Sequence, residues 1–137
     1  MSLSDALLND LSLLFKKETR IWVVYLFGSR AREDFTETSD YDFAFLTAET
    51  LSLDEQVDLN VSIMKILKSD QVDFVFLEKA PIILKYEVLS EGKIIYKKSD
   101  VSDEQLNSIE LSVYREYFHT EKYRKLQREA LKETFFK

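Results

Sequence analysis

The sequence predicts a single α+β domain in which helices alternate with short strands and a long helix closes the chain. Its 137 residues fit one domain, because domains usually contain roughly 100–200 residues. With 45% hydrophobic and 13% aromatic residues, the composition supports a packed core rather than a disordered chain. We therefore expect one domain over residues 1–137, with a core at about 18–97 and a helical extension at about 102–135.

The N-terminal segments predict a helix followed by a buried strand. Leucines recur at helical spacing through residues 2–17, namely at Leu3, Leu7, Leu11 and Leu14. Ile21–Phe27 is a continuous β-branched and aromatic run of strand length, which is typical of a central strand buried on both faces. The polar residues 30–39 then predict a turn-rich connection to a second strand at residues 41–46.

Two capping boxes mark the starts of later helices. Ser52 with Glu55 opens a helix to about residue 68, and Ser102 with Gln105 opens one to about residue 135. In the first of these helices we expect one apolar stripe, formed by Leu53, Val57, Val61, Met64 and Leu67. The segments between the two helices predict a strand at 72–77, a helix from Pro81 to residue 90 capped by Gly92, and a strand at 93–96.

The long C-terminal helix carries apolar side chains on two faces. One face contains Leu106, Ile109, Val113 and Tyr117, and the other contains Leu111, Tyr114 and Phe118. This apolar surface is wider than one packing stripe. We therefore expect part of it to contact a partner protein, although the basic residues near its end are also typical of a simple solvated helix face.

The composition restricts the chemistry that the chain can perform. It contains no cysteine and only one histidine, His119, so thiolate sites and two-histidine metal sites are excluded and a metal would have to bind oxygen ligands. The longest apolar run, Ile21–Phe27, is too short to cross a membrane, and we expect a cytoplasmic protein. A net charge of −6 argues against stable nucleic-acid binding.

One constellation of residues indicates catalysis. Gly28 and Ser29 follow a predicted strand, and ten residues separate Ser29 from Asp40. Asp40 and Asp42 alternate on a strand, so both side chains share a face, with Cα atoms roughly 6.6 Å apart at about 3.3 Å per residue. Carboxylates so placed suit Mg²⁺. Asp73 interrupts the apolar strand at 72–77, which we expect to be buried. If that strand is adjacent, Asp73 completes a cluster able to hold two metal ions for phosphoryl displacement.

The glycine and serine that precede these carboxylates suit a triphosphate. A glycine at a strand end allows close approach of the backbone to a phosphate, and Ser29 adds amide and hydroxyl donors. Arg30 is a further candidate for phosphate contact, although Arg30 and Arg32 also fit a solvated loop pair. An isolated Asp-x-Asp is common on solvated loops as well, so the interpretation depends on the full combination of residues.

This combination resembles the DNA polymerase β-like nucleotidyltransferase superfamily, whose signature is Gly-Ser, a spacer, Asp-x-Asp and a later strand aspartate. Within it, residues 25–96 are most similar to the minimal nucleotidyltransferases (MNT) that serve as antitoxins beside HEPN ribonuclease toxins. The resemblance implies a mixed sheet flanked by helices, and it implies that Gly28 and Ser29 hold the nucleotide phosphates. It also implies that Asp40 and Asp42 bind Mg²⁺ and that Asp73 is the third ligand or general base. Glu33 departs from the pattern, since the family often has glycine there.

The resemblance implies an activity, and two alternatives remain open beside it. The first expectation is transfer of AMP from ATP, with two Mg²⁺ or Mn²⁺ ions, to a tyrosine of a HEPN toxin in a hetero-oligomeric complex. The second is a non-catalytic antitoxin that neutralises the toxin by occlusion. The third is nucleotidylation of a small molecule such as an aminoglycoside, for which the chain leaves little room for an acceptor domain.

Overall fold

The computed structural model describes residues 3–135 of the chain, and their order of elements confirms the α+β prediction. The four strands of this part are β1 (Ile21–Phe27), β2 (Tyr41–Thr47), β3 (Val72–Phe76) and β4 (Lys93–Lys97). Its α-helices are α1 (Asp5–Lys17), α2 (Ser29–Arg32), α3 (Leu53–Leu67), α4 (Ile82–Glu91) and α5 (Asp103–Phe135). A 3₁₀ turn, Leu77–Lys79, follows β3. Residue 2, included in the predicted first helix, lies outside the described residues.

The strands form one mixed sheet in the order β3-β2-β1-β4. β1 pairs antiparallel with both β2 and β4, whereas β2 and β3 are parallel. The parallel pair requires a crossover connection, and α3 supplies it. As predicted from its continuous apolar run, β1 is a central strand. Because β1 is antiparallel to β2, its carboxyl end meets the amino ends of β2 and β3 at one edge of the sheet.

Side chains of alternate direction build two apolar layers on the sheet. On one face, Phe15 of α1 and Ile63 of α3 pack with Phe45 of β2 in a fully buried cluster. On the other face, Tyr25 of β1 and Val88 of α4 belong to a second cluster that also includes the start of α5. Both faces of β1 are therefore covered, which explains why its sequence is apolar at every position.

The predicted apolar stripe of α3 is correct only in its last two residues, since Met64 packs against the core and Leu67 is buried. The helix begins at Leu53 with the predicted capping box, but Leu53, Val57 and Val61 are exposed. Its buried face is formed by three residues at intervals of four, Leu59, Ile63 and Leu67. The helix carries two series of apolar residues on opposite sides, and periodicity does not determine which series faces the core. Packing against α1 and the sheet selects the second series.

Only the first part of α5 packs against the rest of the domain. Leu106 is buried, and the Tyr117 ring stacks on Tyr86 of α4 with centroids 3.7 Å apart. Leu111 and Phe118, from the second predicted face, are exposed. From residue 121 to 134 the side chains are exposed except for the half-buried Arg124. Across residues 3–135, no helix is both long enough and apolar enough to cross a membrane.

Candidate active site

The strand register brings the predicted aspartates to one edge of the sheet. Phe27 of β1 is opposite Asp42 of β2, and Asp42 is opposite Asp73 of β3. Asp40 lies one residue before β2. Since neighbouring strands are about 4.8 Å apart, this register places Asp73 beside Asp42. The sequence predicted this neighbourhood on the condition that the two strands pair, and they do. Gly28 and Ser29 follow β1 at the same edge.

Asp42 is the half-buried centre of this group. The pKa of Asp42 is raised to about 6, and burial is the largest cause. The negative charges of Asp73, Asp40 and Glu87 also raise this pKa, whereas the positive charge of Arg32 lowers it. Such a carboxylate is costly to ionise unless a cation lies beside it. The sequence does not point to Glu87, because nothing in the pattern of α4 shows which of its residues faces the carboxylates.

Gly28 is required by the position of the Asp42 side chain. Its backbone has φ 72° and ψ −159°, a conformation that side chains other than hydrogen rarely permit. A Cβ atom at this position would lie 2.3 Å from the Asp42 carboxylate oxygen Oδ2 and 3.2 Å from its Cγ. The glycine thus leaves room for the carboxylate, a role that differs from the phosphate approach inferred from sequence.

Between Gly28 and β2 the chain forms a one-turn helix, where the sequence predicted only turns. Ser29 begins α2 and is half-buried. The helix ends at Glu33, whose φ of 65° and ψ of 23° are left-handed. This is the conformation in which glycine costs least, which accounts for glycine at this position in the family pattern. Glu33 adopts this conformation here.

Arg30 is buried and directs two of its three guanidinium nitrogens to the connection that precedes β2. It is 6% exposed, and its Nε and NH2 groups donate to the carbonyl oxygen of Ser39 at 3.2 and 3.0 Å. The guanidinium lies over the ring of Tyr41, 3.9 Å from the centroid. Its predicted contact with nucleotide phosphates stays a prediction, and these contacts indicate a different role.

Asp40 and Asp73 are both exposed. For Asp73 this corrects one premise of the prediction, which placed it in a buried strand. β3 is an edge strand, so one side of it faces solvent and an aspartate there carries no burial cost. Across residues 3–135, no three carboxylate or imidazole groups already stand in an arrangement that holds a metal.

A Gly-Ser pair followed by carboxylates on adjacent strands is the arrangement predicted for a nucleotidyltransferase, and comparison with known proteins shows that family. Residues 9–101 match the family described as Polymerase beta, Nucleotidyltransferase, and the chain belongs to this family. It is also 30% identical over 106 residues to the protein adenylyltransferase MntA of Shewanella oneidensis, covering 77% of this chain and 74% of MntA.

Solved structures show the same fold. One is a toxin–antitoxin crystal structure with AMP-PNP, which gives a TM-score of 0.78 at 24% identity and covers 90% of this chain and 97% of the other. Another is the tri-AMPylated Shewanella oneidensis HEPN toxin in complex with MNT antitoxin, with a TM-score of 0.74 at 22% identity and coverage of 94% and 98%. At these identities the likeness concerns the fold.

Proposed function

We propose that this chain is an adenylyltransferase antitoxin that transfers AMP from ATP to a tyrosine hydroxyl of a partner HEPN toxin and so inactivates it. The observation that carries the proposal is the strand register that gathers Asp42 and Asp73 at the edge where Gly28 and Ser29 follow β1. The similarity to MntA, which is named as a protein adenylyltransferase, supports AMP as the transferred group and a protein as acceptor.

The donor set fits divalent cations. Every candidate ligand, Asp40, Asp42 and Asp73, is a carboxylate, and hard oxygen donors suit Mg²⁺, with Mn²⁺ as a substitute. The raised pKa of Asp42 reflects burial and a local excess of negative charge that a cation would relieve. When bound, two such ions supply neutralisation of phosphate charge and lower the pKa of the acceptor hydroxyl.

The residues of the chain then have separate tasks in the reaction. Gly28 and Ser29 hold the nucleotide phosphates, and Asp40 and Asp42 hold the cations. Asp73, which is exposed and therefore reachable by an incoming protein, accepts the proton of the tyrosine hydroxyl. The tyrosine oxygen bonds to the α-phosphorus, the bond from that phosphorus to the bridging oxygen breaks, and pyrophosphate leaves. AMP on the toxin would add negative charge and bulk where an RNA-cleaving site binds RNA.

The shape of α5 supports a physical complex with the toxin. Large apolar side chains are exposed along this helix, at Leu111, Phe118, Tyr123, Leu126 and Leu131, and exposed apolar surface of this kind marks interaction sites. The same observation favours the second candidate function, in which the chain neutralises the toxin by occlusion alone. Residues 1–137 would act as one domain in either case, and we place the reaction in the cytoplasm, where ATP is available.

Catalysis and occlusion differ in stoichiometry. A small fraction of wild-type protein with ATP and Mg²⁺ should inactivate an excess of toxin and add one or more AMP masses to a tyrosine peptide. The Asp40→Asn, Asp42→Asn double variant should add no mass, while its melting temperature stays unchanged or rises because repelling charges are removed. The matched control, Asp54→Asn with Asp58→Asn, removes two exposed carboxylates of α3 and should retain transfer.

Other results would reject the proposal in distinct ways. If the Asp40→Asn, Asp42→Asn protein still protects cells and adds no mass to the toxin, occlusion is the function. If purified wild-type protein modifies an aminoglycoside but not the toxin, the acceptor is a small molecule. A collapse in the melting temperature of the double variant would show that these aspartates are structural.

A further inference from the structure

Arg30 is the one buried charged side chain among the residues that the structure describes. Burial of a charge is costly unless it is paired or fully hydrogen-bonded. Within residues 3–135, however, no carboxylate forms an ion pair with it. The energy of this burial must therefore be offset by other contacts, and these contacts show what the residue does.

Those contacts are with the connection between α2 and β2 and with Tyr41, the first residue of β2. The guanidinium donates to the carbonyl oxygen of Ser39, at 3.2 Å from Nε and 3.0 Å from NH2, and to that of Glu37 at 3.4 Å. It also lies between two rings, with its central carbon 3.9 Å from the Tyr41 centroid and 4.9 Å from the Phe35 centroid. A planar guanidinium donates to carbonyls from its edge while its flat faces contact rings, whereas an ammonium has no flat face and no fixed fork of donors.

These contacts fix the backbone on both sides of Asp40. The carbonyl of Ser39 belongs to the peptide group that precedes Asp40, and Arg30 holds it. The amide of Tyr41 belongs to the peptide group that follows, and it donates to the carbonyl oxygen of Gln71 at 2.8 Å. The exposed side chain of Asp40 thus projects from a backbone that is anchored at both peptide groups.

We propose that Arg30 is a positioning residue, which orients Asp40 toward Asp42 by anchoring residues 35–41, and that it does not bind the nucleotide. Contact of its Nε or NH2 group with a phosphate would require that group to leave the carbonyl oxygens of Ser39 and Glu37. Arg30 follows Gly28 and Ser29 directly, so the short helix α2 links the turn that accommodates the Asp42 carboxylate to the loop that presents Asp40. The kinetic part of this proposal rests on the proposed AMP transfer.

The substitution Arg30→Lys separates positioning from phosphate binding, because it retains the positive charge and removes the planar fork. If Arg30 positions Asp40, amide hydrogen exchange in residues 34–41 should rise about tenfold or more. The kcat for AMP transfer should then fall about a hundredfold, the scale of a 1 Å misplacement, while the KM for ATP changes less than about threefold. A tenfold rise in KM with unchanged kcat would assign Arg30 to the nucleotide and overturn the proposal.

The chain offers a matched control for the exchange measurement. Arg124 of α5 also donates to a main-chain carbonyl, that of Tyr117, at 2.8 Å and lies over the Tyr117 ring at 4.3 Å. Arg124→Lys therefore makes the same chemical change at a half-buried arginine with the same two kinds of contact, and it should leave exchange in residues 34–41 unchanged.

A second variant covers the case in which Arg30→Lys fails to fold. Phe35→Leu removes only one exposed ring and should raise exchange in residues 34–41 severalfold. If Arg30→Lys folds, wild-type exchange in this segment in that variant would overturn the positioning role; if it does not fold, wild-type exchange in Phe35→Leu would do so. If the wild-type protein transfers no AMP at all, the proposed function fails, whereas the exchange measurement still decides the role of Arg30.

Discussion

Substitution of Gly28 by alanine tests how tightly the turn after β1 and the Asp42 carboxylate are coupled. The added Cβ meets two separate obstacles. One is conformational, because φ 72° with ψ −159° is almost exclusive to glycine and costs other residues about 1–3 kcal/mol. The other is steric, because the new atom would lie 2.3 Å from Oδ2 of Asp42, a distance that forces the carboxylate or the backbone to move.

A double-mutant cycle separates the two costs. In an Asp42→Ala background, Oδ2 and Cγ are absent and only the Asp42 Cβ remains near, at the ordinary distance of 3.5 Å. Gly28→Ala should then lower the free energy of unfolding by the conformational cost alone, about 1–3 kcal/mol. In the wild-type background the loss should be larger, with a coupling of about 0.5–3 kcal/mol. AMP transfer should fall more than stability does, because the carboxylate is displaced.

Urea denaturation of the four proteins at pH 7 without divalent cations gives all the terms of the cycle. A zero coupling energy would mean that the Asp42 carboxylate does not occupy the space beside Gly28. A loss below about 0.5 kcal/mol in both backgrounds would refute the left-handed backbone at this position, since surface substitutions without special strain fall within that range.

Three further predictions concern ionisation, catalysis and helix packing. Because the pKa of Asp42 is raised from 3.8 to about 6, the folded chain binds the proton more tightly than the unfolded chain. The tighter proton binding adds to the free energy of unfolding. This contribution is complete below about pH 4 and is lost as the pH rises through 6. The loss of unfolding free energy between pH 4 and pH 7 should be on the order of 1 kcal/mol after allowance for solvent screening. Urea denaturation at the two pH values should show this loss in the wild-type protein and not in Asp42→Asn. Equal pH dependence in both proteins would contradict the raised pKa of Asp42. Asp73→Asn should reduce turnover of AMP transfer at least tenfold, with little change in nucleotide affinity or melting temperature. The control Asp70→Asn should retain turnover. Normal transfer by Asp73→Asn would show that Asp73 does not accept the proton. Tyr86→Leu should lower the free energy of unfolding by about 1–2 kcal/mol through lost ring contacts with α5. Tyr123→Leu should change this free energy by less than about 0.5 kcal/mol. Equal effects of the two substitutions in thermal melts would contradict the observed packing of α5.

Features set by neighbours in the chain could be predicted from the sequence. β1 was predicted with its observed bounds because a continuous apolar run of that length is stable only between two covered faces. The capping boxes at Ser52 and Ser102 were also correct, because their hydrogen bonds join residues three apart. The spacing of Asp40 and Asp42 indicated a shared carboxylate site, since alternation along a strand is a property of the backbone itself.

The tertiary structure alone decided which surfaces meet. α3 buries Ile63 instead of Val57, because two apolar series compete and the packing of α1 and the sheet selects one. Asp73 is exposed at an edge strand, and strand order depends on pairings between distant segments. The roles of Gly28, Arg30 and Glu87 depend on atoms that strand order and helix packing bring close together. The local periodicity of the sequence does not contain these distances.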